Sequence, residues 1–281
     1  MDLREKINSH DAGEAVAVLN YQPFIISDDI QTGCAYSFCS GDDPRVAPPL
    51  VFHKNDWTDE KWDFISKCNG QLRAMYDDIL DEIASRFPGA SLLDIGCNNG
   101  YFPVGAEIRG MRGTGTDGNG AHEKSMHFLN KALDTQAEFI LGLYDSITHK
   151  LPDVGIHDVV TLSAIMCHLP DPLYFLSEVG KIAQRAILYY GQIIDTDKFL
   201  ISYNPPHPNL SHIVEFPHNF NDNTRLSLGL FKEACSQMGF NNFYKIPPRD
   251  SWLEMCHGPI SLTLEQELKD VSCHVAILAM R

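Results

Sequence analysis

The chain has 281 residues, 44% of them hydrophobic, and a formal net charge of −15. That is enough apolar material for one large α/β domain or a catalytic domain with appendages, and too much acid for a dedicated nucleic-acid binder, which needs a basic face. The eight cysteines form no C-x-x-C pair, the amino terminus MDLREKINSHDAGE is polar, and no run approaches the ~18 apolar residues of a membrane span, so buried free thiols in a reducing cytoplasm are expected.

Residues 1–58 read as an irregular amino-terminal extension, a lid or the arm of a homodimer, with an acidic turn at Ser40–Pro44 and prolines at 48 and 49. From Asp59 the pattern changes. Trp62, Ile65, Leu72, Met75, Ile79 and Ile83 recur at helical spacing up to Phe87-Pro88-Gly89, which predicts a long amphipathic helix covering one sheet face. Strands and helices then alternate: strand 91–96, helix 99–109, strand 112–117, helix 120–134, strands 137–142 and 157–163, helix 171–183 and strand 185–191. Alternation of this kind implies parallel pairing with right-handed crossovers. A helix is expected over Asn223–Gly239 with Thr224 as its cap, followed by strands near 240–246 and 272–280. Two insertions, 194–222 and 247–270, interrupt a body running from 59 to 281; segments of that length are usually lids or otherwise functional.

The chemistry concentrates in SLLDIGCNNGYFPVGAEIRGMRGTGTDGN, residues 91–119. Leu92, Leu93 and Ile95 form a buried strand ending in Asp94 and a glycine-bearing turn, and a second strand ends in Asp117. An acid at that tip is placed to hold the two hydroxyls of a ribose. The turn is D-x-G-x-x-x-G and not G-x-G-x-x-G, which points away from a nicotinamide dinucleotide.

LDIGCNNGYF followed by GTGTDGN resembles the first two motifs of the Rossmann-like, class I methyltransferases that use S-adenosylmethionine (SAM). Asn98 stands where the family pattern has its middle glycine, and asparagine tolerates positive φ better than most residues. The resemblance covers 91–280 and implies a seven-stranded, mostly parallel sheet with a reversed carboxy-terminal hairpin. It implies that Gly96, Asn98, Gly100 and Tyr101 pass along the methionyl part of the cofactor and that Asp94 supports the turn or meets the cofactor's amino group. Asp117 would take the ribose hydroxyls, with Gly118 and Asn119 near the adenine. Tyr144 and Asp145 would cover the adenine, although Asp145 is equally readable as a solvated loop acid. Ser163 would face the methionine carboxylate or the methyl.

SAIMCHLPDP, 163–172, is similar to an H-x-x-D-P segment of many small-molecule methyltransferases. His168 is a candidate general base there, since imidazole titrates near neutrality; the alternative is a structural His168 with Asp171 capping the next helix. His207 and His212 in the first insertion are the alternate bases, with His218 and Glu215 beside them; their spacing fits no metal template, and no metal is expected. Tyr203, Phe216, Phe220 and Trp252 either wall an apolar substrate or pack the lids down. FHKNDWTDEKWDF, 52–64, is similar to the tRNA wobble-uridine carboxymethyltransferase group, whose members use a carboxylated SAM. The acidic charge argues against tRNA. The reading is therefore methyl transfer from SAM to an O or N atom of a small molecule. The alternatives are tRNA modification, a protein substrate, or a non-catalytic SAM-binding protein.

Overall fold

The computed structural model describes residues 3, 7, 12–35, 50–203, 224–252, 259–261 and 271–281; for 259–261 and 271–274 only the backbone is considered. The main sheet consists of β4 (Ser91–Ile95), β5 (Arg112–Asp117), β6 (Glu138–Leu141), β7 (His157–Ser163), β8 (Ala183–Ile194), β11 (Asn242–Ile246) and β13 (Val271–Met280). Their order is β11-β13-β8-β7-β4-β5-β6, and a short β12 (Pro259–Ser261) pairs with β13. β4 with β7, β7 with β8 and β5 with β6 are parallel, whereas β13 runs antiparallel to both β8 and β11. This is the Rossmann-like sheet with its reversed hairpin.

The chain divides into two compact units. The first comprises Met1–Ala90, Cys97–Leu141 and Arg249–Leu253. Its long helix α2 (Asp59–Arg86) starts at Thr58, whose hydroxyl accepts the Lys61 N–H, and buries Trp62, Ile65, Leu72, Met75, Ile79 and Ile83, the stripe read from the periodicity. The expectation of an irregular extension is corrected. Helix α1 (Ala12–Val18) is followed by an antiparallel three-stranded sheet of β1 (Ile25–Ser27), β2 (Ile30–Thr32) and β3 (Val51–His53). Strands of three residues carry too little alternation to register as a pattern. Helices α3 (Tyr101–Ile108) and α4 (Ala121–Leu133) complete this unit, and Gly113 of β5 lets α3 approach: a Cβ there would lie 2.0 Å from the Pro103 carbonyl oxygen.

The second unit comprises Ser91–Gly96, Gly142–Pro248 and Glu254–Arg281. Its strands bury on both faces, as Val159, Val160, Leu162, Ile187 and Leu188 all do. Helix α5 (Pro172–Ile182) follows β7, and helix α6 (Leu228–Gln237) precedes β11. The expected helix over 223–239 starts later. Thr224–Leu226 forms β10, paired antiparallel with β9 (Ile201–Tyr203), and Ser227 is the cap, its hydroxyl accepting the Leu230 N–H at 3.2 Å. Thr224 and Ser227 are both capping residue types; the pairing with β9 assigns Thr224 to a strand. Among the described residues no helix is long and apolar enough to cross a membrane.

Candidate functional site

The turn after β4 takes a left-handed backbone at three of five positions: Gly96 at φ 76°, Asn98 at φ 50° and Gly100 at φ 95°. Gly96 also leaves no room for a side chain, since a Cβ would meet Ile165 Cδ1 at 2.9 Å. Asn98 therefore does adopt the conformation the family gives to glycine. It stabilises itself locally, its Oδ1 accepting the Asn99 N–H at 2.8 Å.

Asp117 at the tip of β5 is fixed by backbone. Its Oδ2 accepts the Asn98 N–H at 3.0 Å and its Oδ1 the Asn119 N–H at 2.9 Å. A carboxylate offers about four acceptor positions, so each oxygen keeps capacity for a ligand hydroxyl. Gly118 and Asn119 are exposed, and Asn119 Oδ1 accepts the Ala121 N–H at the start of α4. Burial lowers the His122 imidazole from its ordinary range, against the raising effect of Asp117.

Two amides tie the segment after α1 to this turn. Asn99 is fully buried, and its Oδ1 accepts backbone N–H groups of Asn20, Tyr21 and Gln22 while its Nδ2 donates to Val18 O and Ser125 Oγ. Gln22 returns the contact: its Nε2 donates to Cys97 O and its Oε1 accepts the Tyr101 N–H. Neither residue was expected from the sequence. A Gln among loop residues gives no signal of a partner 75 positions away.

Tyr101, expected along the cofactor, turns its side chain inward. Its ring is buried against Phe24 and Tyr76, and its hydroxyl donates to Asp77 Oδ2 at 3.1 Å. Burial, then the Asp77 charge, raises its phenol well above the ordinary range. Arg109 pairs with Asp77 and Asp81, so the chain's nearest approach to a basic cluster is neutralised on α2. Trp252 also packs inward, its Nε1 donating to Asp78 Oδ2.

In the second unit Asp94 is buried and accepts the Thr161 hydroxyl at 2.6 Å, which binds the end of β4 to β7. Beyond β7, Ser163 is half-buried and Ala164 sits at φ 54°, a left-handed conformation costing about 1 kcal/mol for a residue with a Cβ. The following 3-10 turn, Met166–His168, leaves His168 exposed and Cys167 half-buried, the Cys167 thiol 3.1 Å from the Ala164 carbonyl oxygen. Arg225 is buried with its Nε on Gln192 Oε1. Desolvation lowers its pKa, opposed by Cys167 and then Tyr189.

Tyr144 and Asp145, expected to cover the adenine, each have partners within the second unit. Tyr144 is buried, its hydroxyl donating to Asp171 Oδ2 at 2.7 Å and its ring meeting Phe175 edge-on. His149 Nδ1 meets the same Asp171 oxygen at 2.5 Å, and Tyr174 stacks on the His149 ring. Asp171 thus ties the loop after β6 to the H-x-x-D-P turn and makes no side-chain cap on α5. Asp145 closes its own loop, accepting Ile147 N–H and the Thr148 hydroxyl, the solvated-acid reading. Tyr203 is half exposed, its hydroxyl donating to Pro170 O. His207, His212, Glu215, Phe216, His218 and Phe220 lie outside the described residues. Among the described residues no cluster of three or more His, Cys, Asp or Glu could hold a metal ion.

A family model described as a methyltransferase domain matches residues 68–189, the span holding the glycine turn, Asp117 and the H-x-x-D-P turn. The chain carries a methyltransferase domain over those residues. Solved structures similar to this methyltransferase include the amino-terminal domain of EvdMO1 with S-adenosylhomocysteine (SAH) bound. That likeness has 14% identity over 73% of this chain and 80% of that one, with a TM-score of 0.51. The magnesium protoporphyrin IX methyltransferase of Synechocystis, also with SAH bound, is 14% identical over 78% of this chain and 93% of that one, with a TM-score of 0.47. No curated protein sequence matches the methyltransferase.

Proposed function

We propose that the enzyme methylates an oxygen or nitrogen of a small molecule, with His168 as general base. The observation that carries this reading is the exposed imidazole on the turn immediately following β7, behind a backbone held left-handed at Ala164. The charge of −15 and the pairing of Arg109 with two aspartates weigh against a nucleic-acid acceptor.

The residues present fit the cofactor. The turn from Gly96 to Gly100 would lie along its methionyl part, Asp117 would accept the ribose hydroxyls, Gly118 and Asn119 would stand by the adenine, and Ser163 would stand by the methyl. SAM supplies an activated methyl group on a sulfonium, so the protein has to position the acceptor, remove its proton and exclude water. A hydroxyl or ammonium acceptor must lose a proton, and His168 would take it. His207 and His212 remain the alternates for that role.

The test is transfer of tritiated methyl from SAM to a panel of phenols, carboxylic acids and amines, run beside bulk tRNA and histone-like basic peptides. Label in one small-molecule class is expected, with His168→Ala lowering kcat by about 10²-fold or more. Label confined to tRNA or peptide would refute the acceptor class, and an unchanged kcat would remove His168 as base.

A further inference from the structure

A groove of about 360 Å³ runs between helices α5 and α6 of the second unit. It is lined by Leu173 and Leu176 of α5, by Leu230 and Ala234 of α6, by Met238 just beyond α6, and by Phe199 after β8. Phe199 is 61% exposed, and so is Tyr174, the neighbour of Leu173. Large rings left in water beside an apolar cavity forgo burial that the fold could have had, and such a patch marks a place where something binds.

Size and charge narrow the occupant. Small-molecule sites run from about 300 to 1,000 Å³, whereas a partner helix ~10–12 Å across needs a longer trough than this one. Among the described residues that line the groove, Glu233 carries the only charge, and its Oε1 accepts the Gln237 amide at 2.9 Å. The part of the ligand lying in the groove is therefore uncharged. A carboxylate at the rim, on a chain of net charge −15, also repels an anionic lipid surface.

One end of the groove lies close to the turn after β7. Leu173 is the second residue of α5 and follows His168 by five positions, so the two are within ~18 Å of each other. Tyr203, 48% exposed, donates its hydroxyl to Pro170 O at 3.0 Å and continues the exposed ring surface onto that turn.

We propose that the groove holds the lipophilic part of the acceptor, an alkyl or acyl chain, while the oxygen or nitrogen to be methylated lies at the turn bearing His168. The inference rests on methylation of a small molecule and names its class, an amphiphile with an uncharged tail.

The experiment uses the full chain and homologous series of 4-alkylphenols, alkylamines and alkanoic acids with tails of two to eight carbons. Affinity is read by displacement of the fluorescent probe N-phenyl-1-naphthylamine, and KM by transfer of tritiated methyl from SAM. In the series that takes label, affinity should rise about fourfold per methylene, the gain expected for burying one CH₂, and KM should fall in step. Ser177→Trp, at an exposed position lining the groove, would fill it and should flatten the rise to under about twofold per methylene. Phe199→Ser, exposed and outside the core, should flatten it in part. A flat wild-type series, a steep one that both variants leave steep, or a KM independent of tail length would overturn the assignment, with label on the short-tailed compounds leaving small-molecule methylation intact. Label on none of the three classes would overturn both. A wild-type dimer lost in Phe199→Ser, or pelleting with phosphatidylcholine vesicles without displacement of the probe by the octyl compounds, would overturn it in favour of a second copy or a membrane.

Discussion

The backbone N–H of Asn98 donates to the carboxylate of Asp117 at 3.0 Å, joining the turn after β4 to the tip of β5. The bond couples two functions usually treated apart, the shape of the glycine turn and the orientation of the acid. Asp117→Ala removes both, and Asp117→Asn keeps the size while removing the charge that attracts N–H donors. Calorimetric titration with SAH should show about a 10–100-fold loss for the alanine variant, from the ~1.5–3 kcal/mol of charge-assisted bonds. A loss under twofold would separate Asp117 from the cofactor.

Gly113 and Gly155 offer a contrast between two glycine roles. Alanine at 113 would press a methyl group against the Pro103 carbonyl, a backbone atom that cannot swing away. Gly155 has open space around it, and its only constraint is φ 73°. Urea titrations should show Gly113→Ala destabilised by about 3 kcal/mol and Gly155→Ala by about 1 kcal/mol, with unchanged slopes.

The Tyr144–Asp171 bond predicts a pH-dependent stability. Burial first, and the hydrogen bond to Asp171 next, hold the Tyr144 phenol well above its ordinary range. A group whose folded pKa is raised contributes fully below its unfolded value, about 10 for tyrosine, and loses that contribution as the pH climbs above it. Tyr144→Phe should cost about 1 kcal/mol at pH 8. The gap between wild type and variant should close above pH ~10. A constant gap across the titration would mean that Tyr144 packs without its hydroxyl contributing.

Thiol labelling should be ordered. Cys34, Cys68, Cys97 and Cys235 are buried, and burial pushes the Cys235 thiol up to about 12, which leaves it protonated and unreactive. Cys167 is half-buried on the turn after β7. N-ethylmaleimide with peptide mapping should find Cys167 modified first among these five, and added SAM should slow it. Early modification of Cys235 would mean that α6 opens readily.

The sequence reveals features built on periodicity, and hides those built on direction. Trp62 to Ile83 repeat at helical spacing, and strands buried on both faces stand out as apolar runs. The glycine turn and Asp117 are local, so their pattern survives in one dimension, and Asn98 keeps it because a polar side chain can bond its own backbone. The family resemblance placed Tyr101 and Tyr144 near the site, but it could not say where their rings turn. Both hydroxyls end on aspartates, the buried Asp77 and the half-buried Asp171, from elements far away in the chain.

Asn99 precedes Gly100, the dipeptide in which an asparagine amide is most readily lost through ring closure by the next backbone nitrogen. Here the amide is clamped on both ends, and the Gly100 N–H is engaged with Cys97 O. Folding should therefore protect this chain from chemical ageing at the most vulnerable bond of its cofactor turn. In a chain that has once opened, conversion of Asn99 to aspartate would replace the two N–H donors that reach Val18 and Ser125 with acceptors, and the damage would persist after refolding.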